Sequence, residues 1–380
     1  MPFLPYSIPT QMDSLNEVPK LLKDRKITSV LLVADATVRG LGLTKSLEEA
    51  LEQASVRVGI YEQSTPNPTI DNVEDARKVY IENNAQAIIA IGGGSAMDCA
   101  KVTGARICRP GKSVQDMKGL MHILKKTPLF IAVPTTAGTG SEVTLAAVIT
   151  DSKTHHKYPI NDFNLIPDYA VLDPALTLGL PPYVTATTGL DALTHAVEAY
   201  IGQSSTAFTR KMSIEAVTNI KNSLRTAVEN GSDEDARRKM LRAAYCAGLS
   251  FTRSYVGYVH GIAHSLGGRY GIAHGLANAV ILPVMLREFG KSAEKKLAEL
   301  AIASGIASAD STMEAAAESF IAWIEEMNKS FNLPAGFEQI KEEDIKEMSH
   351  NADIESNPLY PVPRLMDADE LAGVYRKLMI

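Results

Sequence analysis

Cysteine is scarce. The chain has three, Cys99, Cys108 and Cys246, with no CxxC spacing among them. An odd count without that spacing argues against a disulfide framework and a thiolate zinc site, and points to a reducing cytoplasm with cysteines used as small hydrophobes. Long apolar runs are also missing. None reaches the roughly 18–20 residues of a membrane span. No basic block stands out, and the net charge of -6 argues against a nucleic-acid partner. The start, Met1-Pro2-Phe3-Leu4-Pro5, lacks the basic-then-apolar order of a signal peptide. There is no internal repeat, no low-complexity segment and no GxGxxG fingerprint.

What is present is an ordinary globular composition, 45% hydrophobic and 22% charged, over 380 residues. That length exceeds what one core usually serves, so two domains are expected. The first half alternates. Ser29–Asp35, Val56–Tyr61, Ala87–Ile91 and Leu129–Val133 have the short apolar runs of buried parallel strands, and Thr44–Ala54, Val73–Asn83 and a segment from Ala96 have helical periodicity. The second half is helical in pattern: Val184–Ile201, Ala207–Glu229, Glu234–Leu266, Gly275–Phe289, Ala293–Ala303 and Thr312–Asn328. Pro181-Pro182 suits a first helical turn and Gly267-Gly268 a helix end. The expectation is a Rossmann-like parallel α/β domain over residues 1–180, which binds a nucleotide, and an all-α domain over 181–380, which binds a metal.

Two loops carry the nucleotide expectation. Gly92-Gly93-Gly94-Ser95 lies where a strand meets a helix, so that backbone can approach an anion closely. Pro134-Thr135-Thr136-Ala137-Gly138-Thr139-Gly140-Ser141-Glu142 follows the next strand. Both lie at carboxyl ends of strands, the edge where open α/β sheets bind ligands. Asp35 ends the first strand at that edge and could accept from a ribose diol.

The metal expectation rests on Asp191, His195, His260, His264 and His274. Three of the eight histidines fall within fifteen residues. Asp191 and His195 are four apart, as are His260 and His264, so each pair shares a helix face. Spacing alone favours pairing His260 with His264 and does not decide whether His264 or His274 is the ligand. A carboxylate with three imidazoles suits Fe(II) or Zn(II) and is a poor cage for Mg²⁺ or Ca²⁺. A divalent ion beside a nucleotide suggests Lewis-acid activation of an alcohol or carbonyl oxygen, with hydride transfer if the nucleotide carries nicotinamide.

These motifs stand in a familiar order: Asn67-Pro68-Thr69, Gly92-Gly93-Gly94-Ser95 with Asp98, the 134–142 loop, Gly189-Leu190-Asp191-Ala192-Leu193-Thr194-His195-Ala196-Val197-Glu198, and His260 through Gly267 with His274-Gly275-Leu276-Ala277-Asn278. The sequence resembles the iron-containing (group III) alcohol dehydrogenases over nearly its whole length. The resemblance implies a dehydroquinate synthase-like two-domain architecture and reversible hydride transfer between NAD(H) and a small primary alcohol, diol or aldehyde. It implies Asp191, His195, His260 and His274 as ligands of Fe(II), with Zn(II) an alternative, and His264 as a catalytic histidine near the nicotinamide. It implies cofactor contacts at Asn67, Gly92, Gly93, Gly94, Ser95, Asp98, Thr135, Thr136, Thr139, Ser141, Thr144 and Lys157. Asp35 matches the acid associated with NAD over NADP. A homodimer or larger homo-oligomer is implied as well.

The chain departs from the family pattern at Ala273, where many members have Pro, at Arg253, Ser254 and Tyr255, and at Ala146. Two other readings compete: a glycerol dehydrogenase-like zinc enzyme acting on polyols, and a non-catalytic nucleotide-binding protein.

Overall fold

The computed structural model describes residues 6–153 and 157–380. The chain divides into two compact units, Met1–Gly179 and Leu180–Ile380.

The first unit contains strands β1 (Thr10–Met12), β2 (Ser29–Val33), β3 (Arg57–Tyr61), β4 (Ala87–Gly92), β5 (Gly119–Leu120), β6 (Leu129–Pro134), β7 (Ala146–Thr150), β8 (Lys157–Asn161) and β9 (Tyr169–Val171). Its helices are α1 (Val18–Asp24), α2 (Ala36–Gly40), α3 (Lys45–Gln53), α4 (Ile70–Glu82) and α5 (Gly94–Cys108). Six strands form one parallel sheet in the order β1-β9-β6-β4-β2-β3. Every residue of β2 and β4 is buried. Their side chains alternate between two cores. Leu31, Val33, Ile88 and Ala90 face one, while Val30, Leu32, Ile89 and Ile91 face the other. Both faces are covered, which is why these strands are continuous apolar runs rather than alternating ones.

The strand order creates a switch point. The chain leaves β2 for β3 on one side and then returns to place β4 on the other. The carboxyl ends of β2 and β4 flank that point, the place where such sheets hold ligands. A second sheet, β5-β8-β7, was not foreseen; it mixes a parallel and an antiparallel pair.

Local chemistry sets the helix starts. Thr69 and Asn72 form a capping box, so α4 begins at Ile70, ahead of the expected Val73. Gly93 is extended and precedes α5, which therefore starts at Gly94.

The second unit is helical: α6 (Pro182–Ile201), α7 (Ala207–Glu229), α8 (Glu234–Ser254), α9 (Tyr258–Tyr270), α10 (His274–Phe289), α11 (Lys291–Ala303), α12 (Met313–Ser330), α13 (Glu342–Ser356) and α14 (Ala368–Leu378). Two expectations are corrected. The pattern over Glu234–Leu266 is two helices, broken at Tyr255, whose φ of 62° and ψ of 179° no helix accommodates. Gly267-Gly268 lies inside α9, which stops instead at Gly271 in the left-handed region. Beyond residue 340, α13 and α14 flank the Ser356–Pro363 segment. Among the described residues, no helix is long and apolar enough to cross a membrane.

Candidate metal centre and cofactor loops

On α6, Asp191, His195 and Glu198 lie at i, i+4 and i+7, one face of the helix, and all three are buried. The break after α8 redirects the chain so that His260 enters from α9, and the stop at Gly271 lets α10 begin at His274. Close approach of α10 to α6 requires Gly275, because a Cβ there would stand 2.7 Å from the Thr187 carbonyl oxygen.

The result is a cluster. One ligand atom from each of Asp191, His195, His260 and His274 lies within 4.8 Å of all the others. Asn278, one turn beyond His274, is fully buried beside them. Its Nδ2 lies 2.6 Å from Asp191 Oδ1, 3.2 Å from His260 Nε2 and 3.1 Å from His274 Nε2. An amide has two hydrogens, so three acceptors converge on a group that can serve only two. The Asn278 Oδ1 is buried without a hydrogen-bond partner. Converging acceptors in a buried site fit a cation. One carboxylate and three imidazoles are a donor set for divalent iron or zinc.

Surrounding groups orient the imidazoles. His260 Nδ1 lies 2.6 Å from Glu198 Oε2, which leaves Nε2 to face the cluster. Burial, then repulsion from His195, His274 and His264, holds the His260 imidazole well below its usual value and so neutral, the form that ligates. Burial pushes the Glu198 carboxyl up to about 8, against hydrogen bonds at Gly257, Val259 and His260 that favour its charged form. The Phe251 ring stacks on His195 at 4.2 Å between centroids.

His264 falls outside the four-residue cluster. Its ring stacks on His274 with centroids 5.2 Å apart and meets His260 edge-on at 6.1 Å. Arg253 lies 4.9 Å above the Phe208 ring of α7 and donates to the Leu249 carbonyl. It is therefore engaged with its helical neighbours.

In the first unit, the expected cofactor residues gather at the switch point. Asp35 caps α2 by accepting from the Val38 amide at 2.9 Å. Its Oδ2 is 3.7 Å from where a Cβ on Gly92 would stand. A side chain on Gly92 would strike Ala96 at 2.7 Å, and one on Gly94 would press on Thr139 at 3.1 Å. Glycine at these positions thus lets the two loops pack closely at the start of α5, where the first backbone N–H groups of a helix suit an anion. Thr135 donates its amide to the Gly92 carbonyl at 3.0 Å, tying the two loops. The Thr136 hydroxyl lies 3.6 Å from the Gly93 Cβ position. Asn67, itself in the left-handed region, links Ser95 and Lys157: its amide donates to the Ser95 hydroxyl at 3.3 Å and its Oδ1 accepts from Lys157 Nζ at 2.6 Å.

Asp98, Ser141 and Thr144 are tied into the loop itself. Asp98 accepts from the Ser141 hydroxyl at 3.1 Å and from the Val148 amide at 3.0 Å. Loss of water around it holds its carboxyl above the usual range. Sequence reasoning missed Lys101, one turn along α5. Its buried ammonium donates to the Thr144 carbonyl and hydroxyl and to the Ala146 carbonyl, at 2.8 to 2.9 Å. Burial draws it down to about 8, and burial pushes nearby Glu142 up to about 7. Glu198 and Asn278 were also missed as orienting groups, although each lies one turn or less beyond an expected ligand.

Comparison with known proteins agrees with this arrangement. The profile of the iron-containing alcohol dehydrogenases matches residues 5–174, and that of the C-terminal region of the Fe-containing alcohol dehydrogenase family matches residues 185–379. The chain is 36% identical to alcohol dehydrogenase 4 of Saccharomyces cerevisiae over 343 residues, 89% of this chain and 88% of the yeast protein. It is 34% identical to the NAD-dependent methanol dehydrogenase of Bacillus methanolicus over 379 residues, 99% of each. Its fold matches a 1,3-propanediol oxidoreductase crystal structure with a TM-score of 0.94 at 33% identity, covering 99% of this chain and 100% of that one. This chain belongs to the iron-containing alcohol dehydrogenase family.

Proposed function

We propose that Asp191, His195, His260 and His274 hold Fe(II), with Zn(II) accepted by the same donors, in an NAD(H)-dependent enzyme that interconverts small primary alcohols or diols and their aldehydes. The single observation that carries the metal assignment is the mutual approach of the four ligand atoms within 4.8 Å. The bound ion supplies a Lewis acid for the alcohol or carbonyl oxygen, and NAD(H) accepts or delivers hydride.

The protein's own residues do the rest. Glu198 fixes His260 in the tautomer that offers Nε2 to the cluster. Asn278 bridges Asp191 and the two histidines of α9 and α10. The 92–95 and 135–144 loops of the first unit, with Asn67 and Lys157, bind the dinucleotide, and Asp35 disfavours a 2′-phosphate by charge repulsion. His264, against His274, exchanges the proton of the alcohol or positions the cofactor.

Relatives named for methanol and 1,3-propanediol support a small alcohol or diol substrate. The three cysteines are free and buried, which supports a reducing cytoplasm. A homodimer or larger homo-oligomer is part of the same reading.

The test is anaerobic purification with metal analysis, followed by NAD(H) and NADP(H) assays over a panel of alcohols, diols and aldehydes. The expected result is stoichiometric iron or zinc and turnover that depends on it. A fully active metal-free enzyme would overturn the metal assignment. Turnover of polyols alone with zinc would favour the glycerol dehydrogenase-like alternative.

A further inference from the structure

Beside the metal cluster, His264 has partners that neither its helix nor its neighbours in sequence supply. Its Nδ1 lies 2.6 Å from Glu355 Oε1, at the end of α13 and 91 residues downstream. The same carboxylate oxygen accepts the Tyr360 hydroxyl at 2.9 Å. Tyr360 belongs to the segment that joins α13 to α14. Two donors on one oxygen give it a fixed place, and a carboxylate that accepts from Nδ1–H leaves Nε2 as the acceptor of the ring.

Folding stability gains little from this arrangement. The His264 and Glu355 side chains remain 40% and 37% exposed, and a polar contact open to water, charged or neutral, contributes little to folding. The arrangement repeats, outside the ligand set, the one by which Glu198 holds His260. In both, a carboxylate takes Nδ1, and the other ring nitrogen is left for chemistry.

We propose that Glu355, steadied by Tyr360, is a positioning residue that holds His264 in the Nδ1–H tautomer, with Nε2 free to accept a proton or a cofactor hydrogen bond. The inference rests on the reading of His264 as a group of the reaction centre. Glu355 acts through His264 and exchanges no proton with substrate itself.

Two measurements on the zinc-loaded enzyme test it. The first needs no turnover: 15N shifts of the His264 ring, assigned by comparison with His264→Ala. Wild type should show Nδ1 protonated and Nε2 bare. Glu355→Ala should lose that preference, and Glu355→Gln, which keeps an acceptor oxygen, should largely retain it. An unchanged His264 tautomer in Glu355→Ala overturns the proposal, even if the protein oxidises no alcohol and the functional reading falls.

The second is a double-mutant cycle in kcat. Glu355→Ala should lower kcat by about tenfold, a part of the 10²–10⁴ that a positioned acid–base group contributes. The alcohol KM and the metal content should change less than about twofold. Tyr360→Phe should lower kcat by less. In a His264→Ala background, Glu355→Ala should have no further effect. A loss of the same size in that background would assign Glu355 a role independent of His264 and overturn the proposal.

Discussion

Glu198 grips both the backbone and the side chain at the start of α9. Its Oε1 accepts the Val259 amide at 2.8 Å, and its Oε2 lies 2.6 Å from His260 Nδ1. Gly257 makes room for it, because a Cβ there would stand 2.7 Å from Oε1. One carboxylate on α6 therefore sets where α9 begins and how its first histidine is turned. Glu198→Gln should keep the packing and weaken the grip. The expected result is metal affinity lower by about 10- to 100-fold, read by titrating iron or zinc into metal-free protein. Unchanged affinity would show that the His260 ring is held by packing alone.

His264 and His274 offer a sharper discrimination. Spacing along the chain favours His264 as the partner of His260, whereas the folded chain brings His274 within 3.6 Å of Asp191 Oδ1. His274→Ala should strip the metal and reduce turnover by at least about 100-fold, since even an outer-shell partner of a ligand is worth about 10- to 100-fold. His264→Ala should retain a full complement of metal while losing activity. Elemental analysis of the two purified variants decides it. Metal lost from His264→Ala and kept by His274→Ala would reverse the assignment.

The legibility of this fold follows from what each signal depends on. β2 and β4 are evident in the sequence because burial on both faces forces unbroken apolar runs. The proposed ligands on α6 are evident because i, i+4 spacing is a local property of a helix. The break at Tyr255 is not. Apolar periodicity runs through it, and a tyrosine at positive φ announces nothing. Gly267-Gly268 misleads for the opposite reason. Glycine costs a helix only about 1 kcal/mol per residue, and tertiary packing overrides that. Lys101 and Glu355 were illegible as partners because their contacts cross 43 and 91 residues of chain. No periodicity encodes such a pairing.

The buried acid in the second loop predicts a pH effect on stability. Burial raises the Glu142 carboxyl from 4.5 to about 7, with its own amide and Lys101 pulling the other way. Between those values the unfolded chain has released a proton that the folded chain still binds. Stability therefore falls as pH rises through this window, and the contribution present below pH 4.5 is gone above pH 7. The full effect is on the order of 3 kcal/mol. Glu142→Gln cannot titrate, so it should gain stability relative to wild type as pH rises from 5 to 8. Denaturant unfolding of both proteins at several pH values measures this. A difference independent of pH would place the Glu142 carboxyl in the ordinary range in the folded protein.

Asp35 tests whether a strand-end acid selects the cofactor or only starts a helix, because the structure gives it a part in both. It accepts from the Val38 amide as the cap of α2, and its second oxygen faces the Gly92 position of the glycine loop. Serine caps about as well as aspartate, whereas alanine costs about 0.5–2 kcal/mol. Asp35→Ser therefore removes the charge and keeps the cap. A unit charge a few ångströms from a phosphate is worth at least about 1 kcal/mol even in water, so the ratio of kcat/KM for NADP to that for NAD should rise at least about fivefold. Asp35→Ala should raise the ratio equally while lowering the melting temperature. If serine leaves the ratio unchanged and only alanine has an effect, on stability, then Asp35 is a cap and the preference for NAD arises elsewhere in the loop.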